Sequence, residues 1–156
     1  MGRVTVAIAL GSSLGDRAAH LAFAAAQLAA RLDDVRLSTV IETDPVDVPG
    51  EQTPFLNAAA TASTDLSPHD LMALLQSLEQ ARGRQRPYRH APRTLDLDLV
   101  LYGDWVLDGP DLAVPHPRFR ERAFVLDPLA EIAPDLVDPV TGLTIAVLRD
   151  RLPRSG

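Results

Sequence analysis

The sequence predicts an α+β fold with a ferredoxin-like βαββαβ core, in which two helices lie on one face of an antiparallel sheet. Alternating apolar residues indicate four strands, and two amphipathic stretches with helical spacing separate the first strand from the second and the third from the fourth. The length of 156 residues is that of one ordinary domain, so we expect a single domain over residues 1–156. A C-terminal extension of helices and a hairpin follows this core.

The first half of the core begins with an alternating strand over residues 3–10, which the loop GSSLGD ends. A helix is predicted over residues 17–32, with Asp16 as its N-cap. A second strand is predicted over residues 35–43. The stretch 44–54 contains three prolines and one glycine, so it is predicted to be a long loop.

The second half repeats this order with a strand over residues 55–64 and a helix that follows an N-cap at Ser67. Proline occupies the first helical position, and the helix should end near Gly83. A second long loop is predicted over residues 84–92, before the clearest strand of the sequence at 94–102.

The extension is predicted to contain three short elements. Residues 105–107 are expected to pair back as a short strand, and helices are expected over 123–132 and near 143–152.

The composition excludes several classes of chemistry. The chain has no cysteine and no lysine, so thiolate metal sites, lysine Schiff bases and the lysine-dependent P-loop are all excluded. A net charge of −6 argues against a general nucleic-acid or anionic-membrane surface. No apolar run approaches the roughly 20 residues needed to span a bilayer. We therefore expect a cytoplasmic protein with no nucleic-acid or membrane partner, and a monomer.

The positive charge is concentrated in two windows. The first contains Arg82, Arg84, Arg86, Arg89 and Arg93, and the second contains Arg118, Arg120 and Arg122. Guanidinium groups bind phosphate oxygens bidentately, so these eight arginines are predicted to bind a polyphosphate. The alternative is a pair of solvated charged segments.

Two carboxylates follow the first window on a strand, in the motif TLDLDL. Because side chains alternate between faces, Asp96 and Asp98 should project from one face about 7 Å apart. Two carboxylates at that spacing repel each other unless a cation lies between them, and Mg²⁺ with a polyphosphate suits carboxylates beside arginines. The alternative is an exposed polar face of an edge strand.

Four further side chains are candidates for binding. His116 lies between two prolines beside the second window, where nearby arginines disfavour its protonation, so a hydrogen bond to ribose or phosphate is favoured over general-base work. Asn57 lies among alanines in a strand and could bind the edge of a heterocycle. Phe55 and Phe124 are either core residues or a stacking platform.

Several segments together closely resemble the 6-hydroxymethyl-7,8-dihydropterin pyrophosphokinase family. They are ALGSSLGDR, PFLNAA, PRTLDLDLVLYGD and VPHPRFRERAFVLDPLAEIAP, which run in order from about residue 6 to 138. The resemblance implies the ferredoxin-like fold. It also implies transfer of the pyrophosphoryl group of ATP to the pterin hydroxymethyl oxygen, with release of AMP, in folate biosynthesis.

The resemblance also assigns site residues. Asp96 and Asp98 would hold two Mg²⁺ ions, while Arg84 and Arg93 would neutralise charge during transfer. The rest of the ATP site would comprise Gln76, Glu79, Arg86, His116 and Arg122. The pterin pocket would comprise Thr43, Pro45, Val46, Phe55, Asn57 and Phe124. The loops over 44–54 and 84–92 correspond to segments that close over the substrates.

Three positions depart from the family pattern. Ser13 replaces an asparagine, His90 stands where tryptophan is common, and Phe55 replaces a frequent tyrosine. The positions assigned to metal and arginine are intact.

Two other classes of protein could use the same features. A Mg²⁺-dependent phosphoesterase or a nucleotide-sugar transferase would also use the Asp-Leu-Asp motif. A non-catalytic RNA-binding module of this fold would need exposed aromatic residues on the sheet, where this chain has carboxylates instead.

Overall fold

The computed structural model describes residues 3–13, 15–43, 54–83 and 94–153. The strands are β1 (Val4–Ser12), β2 (Asp33–Leu37), β3 (Ile41–Thr43), β4 (Phe55–Thr64), β5 (Asp96–Tyr102), β6 (Leu107–Asp108) and β7 (Ala113–Val114). The helices are α1 (Arg17–Arg31), α2 (Pro68–Ala81), α3 (Ala123–Ile132) and α4 (Ile145–Arg151), and a 3₁₀ turn spans Phe119–Glu121.

The main sheet has the strand order β2-β4-β1-β5, and β3 pairs with β4 beside β2. Its pairings are all antiparallel, and β1 lies between β4 and β5. With α1 between β1 and β2 and α2 between β4 and β5, this is the predicted ferredoxin-like βαββαβ arrangement, which is therefore confirmed.

Helices cover both faces of this sheet. On one face, α1 and α2 contribute buried leucines such as Leu28 and Leu71 to a core with β1, β4 and β5. On the other face, Phe119, Leu126 and further residues of α3 and α4 pack on Ala7, Ala59 and their neighbours. The two core helices thus share one face as predicted, and the C-terminal extension closes much of the opposite face.

The predicted helix starts are confirmed by their caps. The Asp16 carboxylate accepts a hydrogen bond from the backbone N–H of Ala19 at 3.1 Å, and the Ser67 hydroxyl accepts one from Asp70 at the same distance. These side chains satisfy N–H groups that have no partner within the helix.

The strand predicted over residues 35–43 is wrong in one respect, because it consists of two strands, β2 and β3. Ser38 interrupts it: its N–H donates to the Ala59 carbonyl at 2.9 Å, and its hydroxyl accepts from the Ala59 N–H at 2.8 Å. The next residue turns away from β4, since the Thr39 N–H and hydroxyl both donate to the Glu131 carboxylate on α3.

The short strand predicted over residues 105–107 also differs from the structure. The chain turns after β5, where the Trp105 N–H donates to the Tyr102 carbonyl at 3.0 Å, and the Trp105 and Tyr102 rings pack edge to face at 5.1 Å. The strand that follows, β6, pairs with β7 in a separate two-stranded sheet and does not pair back on β5.

The ends of several elements shift by one or two residues. Strand β1 continues through Gly11 and Ser12, which the sequence assigned to a loop, and β5 begins at Asp96 instead of residue 94. The predicted loop over 84–92 and all but Pro54 of the loop over 44–54 lie outside the described residues. None of the helices within the described ranges is long and apolar enough to cross a membrane.

A hydrogen bond between His20 and Arg82 joins α1 to the end of α2. Arg82 Nε donates to His20 Nδ1 at 2.9 Å, and its guanidinium lies 4.7 Å from the Phe23 ring centroid. Burial lowers the pKa of His20 below 6.5, the Arg82 charge lowers this pKa further, and Asp16 opposes both effects.

This histidine should make stability fall with acidity. Between its lowered pKa and 6.5, the unfolded chain binds more protons than the folded chain, so the free energy of unfolding decreases as the pH falls through that window. His20→Asn keeps an acceptor and removes the titration. We expect it to flatten the pH dependence in denaturant unfolding measured from about pH 5 to 8. The same change at exposed His69 is the control, and an unaltered slope for His20→Asn would contradict this account.

Candidate functional site

The candidate site lies on the sheet face that carries α3 and α4, at the end of β1 where Gly11 and both aspartates remain partly exposed. Gly11 pairs with Asn57 of β4 on one side and with Asp96 of β5 on the other. Paired residues of antiparallel strands share a face, so Asn57, Gly11 and Asp96 form one row across three strands. The Cα atoms at the two ends of this row are separated by two strand spacings, about 10 Å.

The second carboxylate lies in the next row of the same face. Asp98 pairs with Ala9, which pairs with Ala59. Leu97 and its neighbours Leu95 and Leu99 are buried on the opposite face, which confirms the alternation expected from the motif. Asp96 and Asp98 therefore share the face that carries Asn57.

These two carboxylates have the chemistry of a Mg²⁺ site. Within residues 3–13, 15–43, 54–83 and 94–153, no three histidine, aspartate or glutamate side chains are grouped to hold a metal ion. Mg²⁺ is commonly bound through one or two carboxylates, with water and substrate phosphates as its remaining ligands. Asp96 and Asp98 fit an ion held jointly by protein and polyphosphate.

Glu79 supports β5 between the two aspartates. It is 2% exposed, and its Oε2 accepts a hydrogen bond from the backbone N–H of Leu97 at 2.7 Å. This bond comes from α2, on the opposite side of the sheet from the aspartate side chains. Gln76 lies one turn earlier on α2 and is exposed.

His116 and Arg122 lie in the electrostatic neighbourhood of Asp96. The backbone N–H of His116 donates to the Val100 carbonyl on β5 at 2.9 Å. Burial and the Arg122 charge lower the pKa of His116, while Asp96 acts to raise it and Arg118 to lower it. Together these effects favour the neutral imidazole, as the sequence indicated.

The tautomer of this imidazole follows from its hydrogen bond. His116 Nδ1 accepts from the backbone N–H of Arg118 at 3.2 Å, so in the neutral ring the proton resides on Nε2. His116 can thus donate one hydrogen bond from Nε2.

The structure brings three of the candidate heterocycle-binding residues together around β3 and β4. Asn57 is 7% exposed, and its Nδ2 donates to the Thr43 hydroxyl at 2.7 Å. Thr43 pairs with Phe55, which is on the same face as Asn57.

Phe124 is a further candidate for heterocycle binding and lies in the first turn of α3. It is 37% exposed, and the Arg122 guanidinium lies 5.6 Å from its ring centroid. This contact connects Arg122, which is predicted to bind the nucleotide, with Phe124, which is predicted to stack on the heterocycle.

Some predicted site residues fall outside the described part of the chain. They are Pro45, Val46, Arg84, Arg86 and Arg93, together with Arg89 and His90.

Among the arginines of the two basic windows that the structure describes, three form polar contacts with protein side chains. Arg82 binds His20, Arg120 binds Asp138 through two nitrogens, and the Arg118 side chain lies 3.3 Å from Glu121. Three of the eight arginines that were predicted to bind phosphate therefore have partners within the protein itself.

Gly11 is a residue of the site that the sequence analysis missed, because it assigned the GSS segment to a loop. A Cβ at this position would lie 3.1 Å from Asn57 Oδ1, a tighter contact than is usual. The absence of a side chain leaves the middle of the row open between Asn57 and Asp96.

Arg17 was missed as well. Its Nη1 donates to the Pro54 carbonyl, and the same nitrogen lies 3.5 Å from the Glu42 carboxylate. These contacts connect Pro54 and β3 to the start of α1. Nothing in the sequence distinguishes Arg17 from other polar residues at the start of a helix.

Comparison with known proteins identifies related chains. The family described as 7,8-dihydro-6-hydroxymethylpterin-pyrophosphokinase (HPPK) matches residues 7–134. The 2-amino-4-hydroxy-6-hydroxymethyldihydropteridine pyrophosphokinase of Pseudomonas aeruginosa is 45% identical over 134 residues, which cover 84% of this chain and 82% of that protein. The Bacillus subtilis protein of the same name is 46% identical over 127 residues, 80% of this chain and 75% of its own length.

Longer proteins also match. The folic acid synthesis protein FOL1 of Dictyostelium discoideum is 35% identical over 155 residues, which are 99% of this chain but 23% of that protein. A solved HPPK-DHPS structure in complex with substrates superposes with a TM-score of 0.72 at 12% identity, covering 96% of this chain and 43% of its own. The wild-type HPPK-DHPS of Plasmodium falciparum gives 0.75 at 13% identity, with 96% and 45% covered. The chain thus spans less than half of these longer proteins.

Proposed function

This chain belongs to the 7,8-dihydro-6-hydroxymethylpterin-pyrophosphokinase family, and we propose that it transfers the pyrophosphoryl group of ATP to the hydroxymethyl group of 6-hydroxymethyl-7,8-dihydropterin in folate synthesis. The hydroxymethyl oxygen forms a bond to the β-phosphorus of ATP. The bond from that phosphorus to the α,β-bridging oxygen breaks, AMP leaves with this oxygen, and the hydroxyl proton is released to solvent. The observation that carries the proposal is the row formed by Asn57, Gly11 and Asp96.

The two ends of the row suit the two substrates. An amide side chain offers both a donor and an acceptor, as the amide edge of a pterin requires, whereas carboxylates suit a cation that accompanies a triphosphate. The separation of about 10 Å between the Cα atoms at the ends matches neighbouring substrates on one face. With the substrates bound in this way, the acceptor alcohol would lie next to the phosphate being transferred.

The pterin pocket of the proposal lies at the Asn57 end. The Asn57 amide is oriented by Thr43, so its Oδ1 lies toward Gly11 and can accept from the ring. Phe55 and Phe124 would stack on the two faces of the heterocycle. Pro45 and Val46 would complete this pocket.

The ATP site of the proposal lies at the Asp96 end. Asp96 and Asp98 would hold two Mg²⁺ ions, which when bound neutralise phosphate charge and orient the reacting oxygens. Arg84 and Arg93 would stabilise the charge that develops on the transferred group. The remaining nucleotide contacts are assigned to Gln76, Arg86, His116 and Arg122, while Glu79 supports β5 from the opposite side of the sheet.

The contacts of His116 and Glu79 support a particular role for each of them. The Nε2–H of neutral His116 donates a hydrogen bond to a phosphate or ribose oxygen without needing a proton from solvent. The buried Glu79 carboxylate fixes the backbone between the aspartates, so that their side chains need little reorganisation when the nucleotide binds. We also propose that residues 1–156 form one domain and that the enzyme is a cytoplasmic monomer.

The reaction products test this function. The protein is incubated with Mg²⁺, ATP and 6-hydroxymethyl-7,8-dihydropterin, and the nucleotides are separated by chromatography. We expect AMP to form in equal amount to the pterin diphosphate, and only when the pterin is present. Formation of ADP or inorganic phosphate would contradict the proposal, and pterin-independent phosphate release would favour the phosphoesterase alternative.

Asp98→Asn tests the carboxylate end of the row. Loss of one charge should reduce kcat by at least about 100-fold, since this carboxylate would hold the cation that stabilises the charge developing during transfer. The affinity for ATP should change much less. The same substitution at exposed Asp108 on β6 is the control, and an unchanged kcat for Asp98→Asn would remove the metal assignment.

Gly11→Ala tests the open middle of the row. The added methyl group would press on Asn57 Oδ1 and occupy the surface against which the ring lies. We expect the KM for the pterin to rise about tenfold, equivalent to about 1.4 kcal/mol, with little change in ATP affinity. Gly109→Ala, in the hairpin of β6 and β7, makes the same change away from the site. An unaltered pterin KM for Gly11→Ala would show that the ring binds elsewhere.

A further inference from the structure

Asp138 is a fully buried carboxylate outside the site, in the turn between α3 and α4, and its exposure is 0%. It accepts hydrogen bonds from Arg120 Nε at 2.6 Å and Nη2 at 3.0 Å, which form a bidentate pair. It also accepts from the Val140 N–H at 3.0 Å and the Thr141 hydroxyl at 2.8 Å. Four donors satisfy the two carboxylate oxygens, so this charge is held in one orientation.

Arg120 belongs to the segment 116–122, which carries two of the proposed nucleotide residues at its ends. One end is fixed by the bond from the His116 N–H to β5, and the other by α3, where the Arg122 carbonyl accepts from the N–H groups of Val125 and Leu126 at 3.0 Å. Arg120 lies between these two attachments.

Backbone hydrogen bonds connect the residues of this segment to one another. The Phe119 N–H donates to the His116 carbonyl at 3.3 Å, and the Arg122 N–H donates to the Phe119 carbonyl at 3.2 Å. Phe119 is 1% exposed, and the Arg120 guanidinium lies 4.8 Å from its ring centroid. Arg120 thus contacts Phe119, whose backbone is bonded to both His116 and Arg122.

We propose that Asp138 is a positioning residue for nucleotide binding, acting through Arg120 on His116 and Arg122; this inference rests on the proposed function. Apolar side chains can often replace a buried ion pair without loss of stability, so stability alone does not require a pair here. A bidentate pair fixes orientation, which apolar packing does less well.

The first test uses Asp138→Asn, which keeps the shape of the side chain and removes its charge. The dissociation constant of a non-hydrolysable ATP analogue should rise roughly tenfold, and the pterin dissociation constant at saturating analogue should stay within about twofold. Asp127→Asn is the matched control, since it removes an exposed carboxylate 3.9 Å from Arg149. Calorimetry gives both constants, and wild-type nucleotide affinity for Asp138→Asn would overturn the proposal.

The second test guards against a variant that fails to fold. The double change Arg120→Met and Asp138→Leu replaces the pair by apolar side chains and leaves no buried charge unpaired. We expect this variant to keep a cooperative thermal transition and to lose nucleotide affinity to the same extent as Asp138→Asn. Equal losses of nucleotide and pterin affinity would show a structural role only, and would overturn the proposal.

A spectroscopic measurement separates positioning from turnover. The ring nitrogen resonances of His116 should shift in Asp138→Asn without ligands and remain unchanged in Asp127→Asn. Unchanged His116 resonances in Asp138→Asn would also overturn the proposal. Failure of the proposed function would be seen separately, as the absence of AMP with the wild-type protein.

Discussion

The position of β1 between two antiparallel neighbours determines which side chains meet at the site. Its pairing with β4 brings Asn57 beside Gly11, and its pairing with β5 brings Asp96 to the other side of the same residue. Because side chains alternate between faces, a shift of one residue in either pairing would send one end of the row to the opposite face. The substrates of the proposed reaction can be neighbours only in the observed register.

Contacts from outside the sheet hold this register at the site. Glu79 on α2 accepts a hydrogen bond from the backbone of β5. Glu131 on α3 accepts one from the backbone N–H of Thr39, in the turn between β2 and β3. The Ser12 hydroxyl donates to the Thr94 carbonyl and so joins the end of β1 to the segment that enters β5. Helices on both faces therefore contribute to the order of the strands that carry the proposed binding groups.

Positive charge is concentrated in two short windows of arginines, although the net charge of the whole chain is −6. The chain has no lysine, and the proposal assigns its phosphate contacts largely to arginine. A guanidinium remains charged at any working pH and donates in a planar fork, so it can serve either a phosphate or a buried carboxylate. Arg120 illustrates the second use, since its partner is Asp138 and not a ligand.

Local signals predicted much of this arrangement. The order of elements follows from periodicity, the caps at Asp16 and Ser67 follow from residue type, and the shared face of Asp96 and Asp98 follows from strand alternation. The break at Ser38, the strand position of Gly11 and the partner of Arg120 depend on residues far away in sequence. No local pattern contains those contacts, and so sequence reasoning did not find them. The roles assigned to the site residues, including those of Arg84 and Arg93, stay predictions.

The most direct test of the row is a crystal structure with Mn²⁺, a non-hydrolysable ATP analogue and 6-hydroxymethyl-7,8-dihydropterin. Mn²⁺ prefers the same oxygen ligands as Mg²⁺ and can be located by its anomalous scattering. We predict anomalous peaks at the Asp96 and Asp98 carboxylates, with the pterin against Gly11, its amide edge on Asn57 and its hydroxymethyl group toward the phosphates. Anomalous peaks away from both aspartates, or a pterin bound away from the row, would contradict the account.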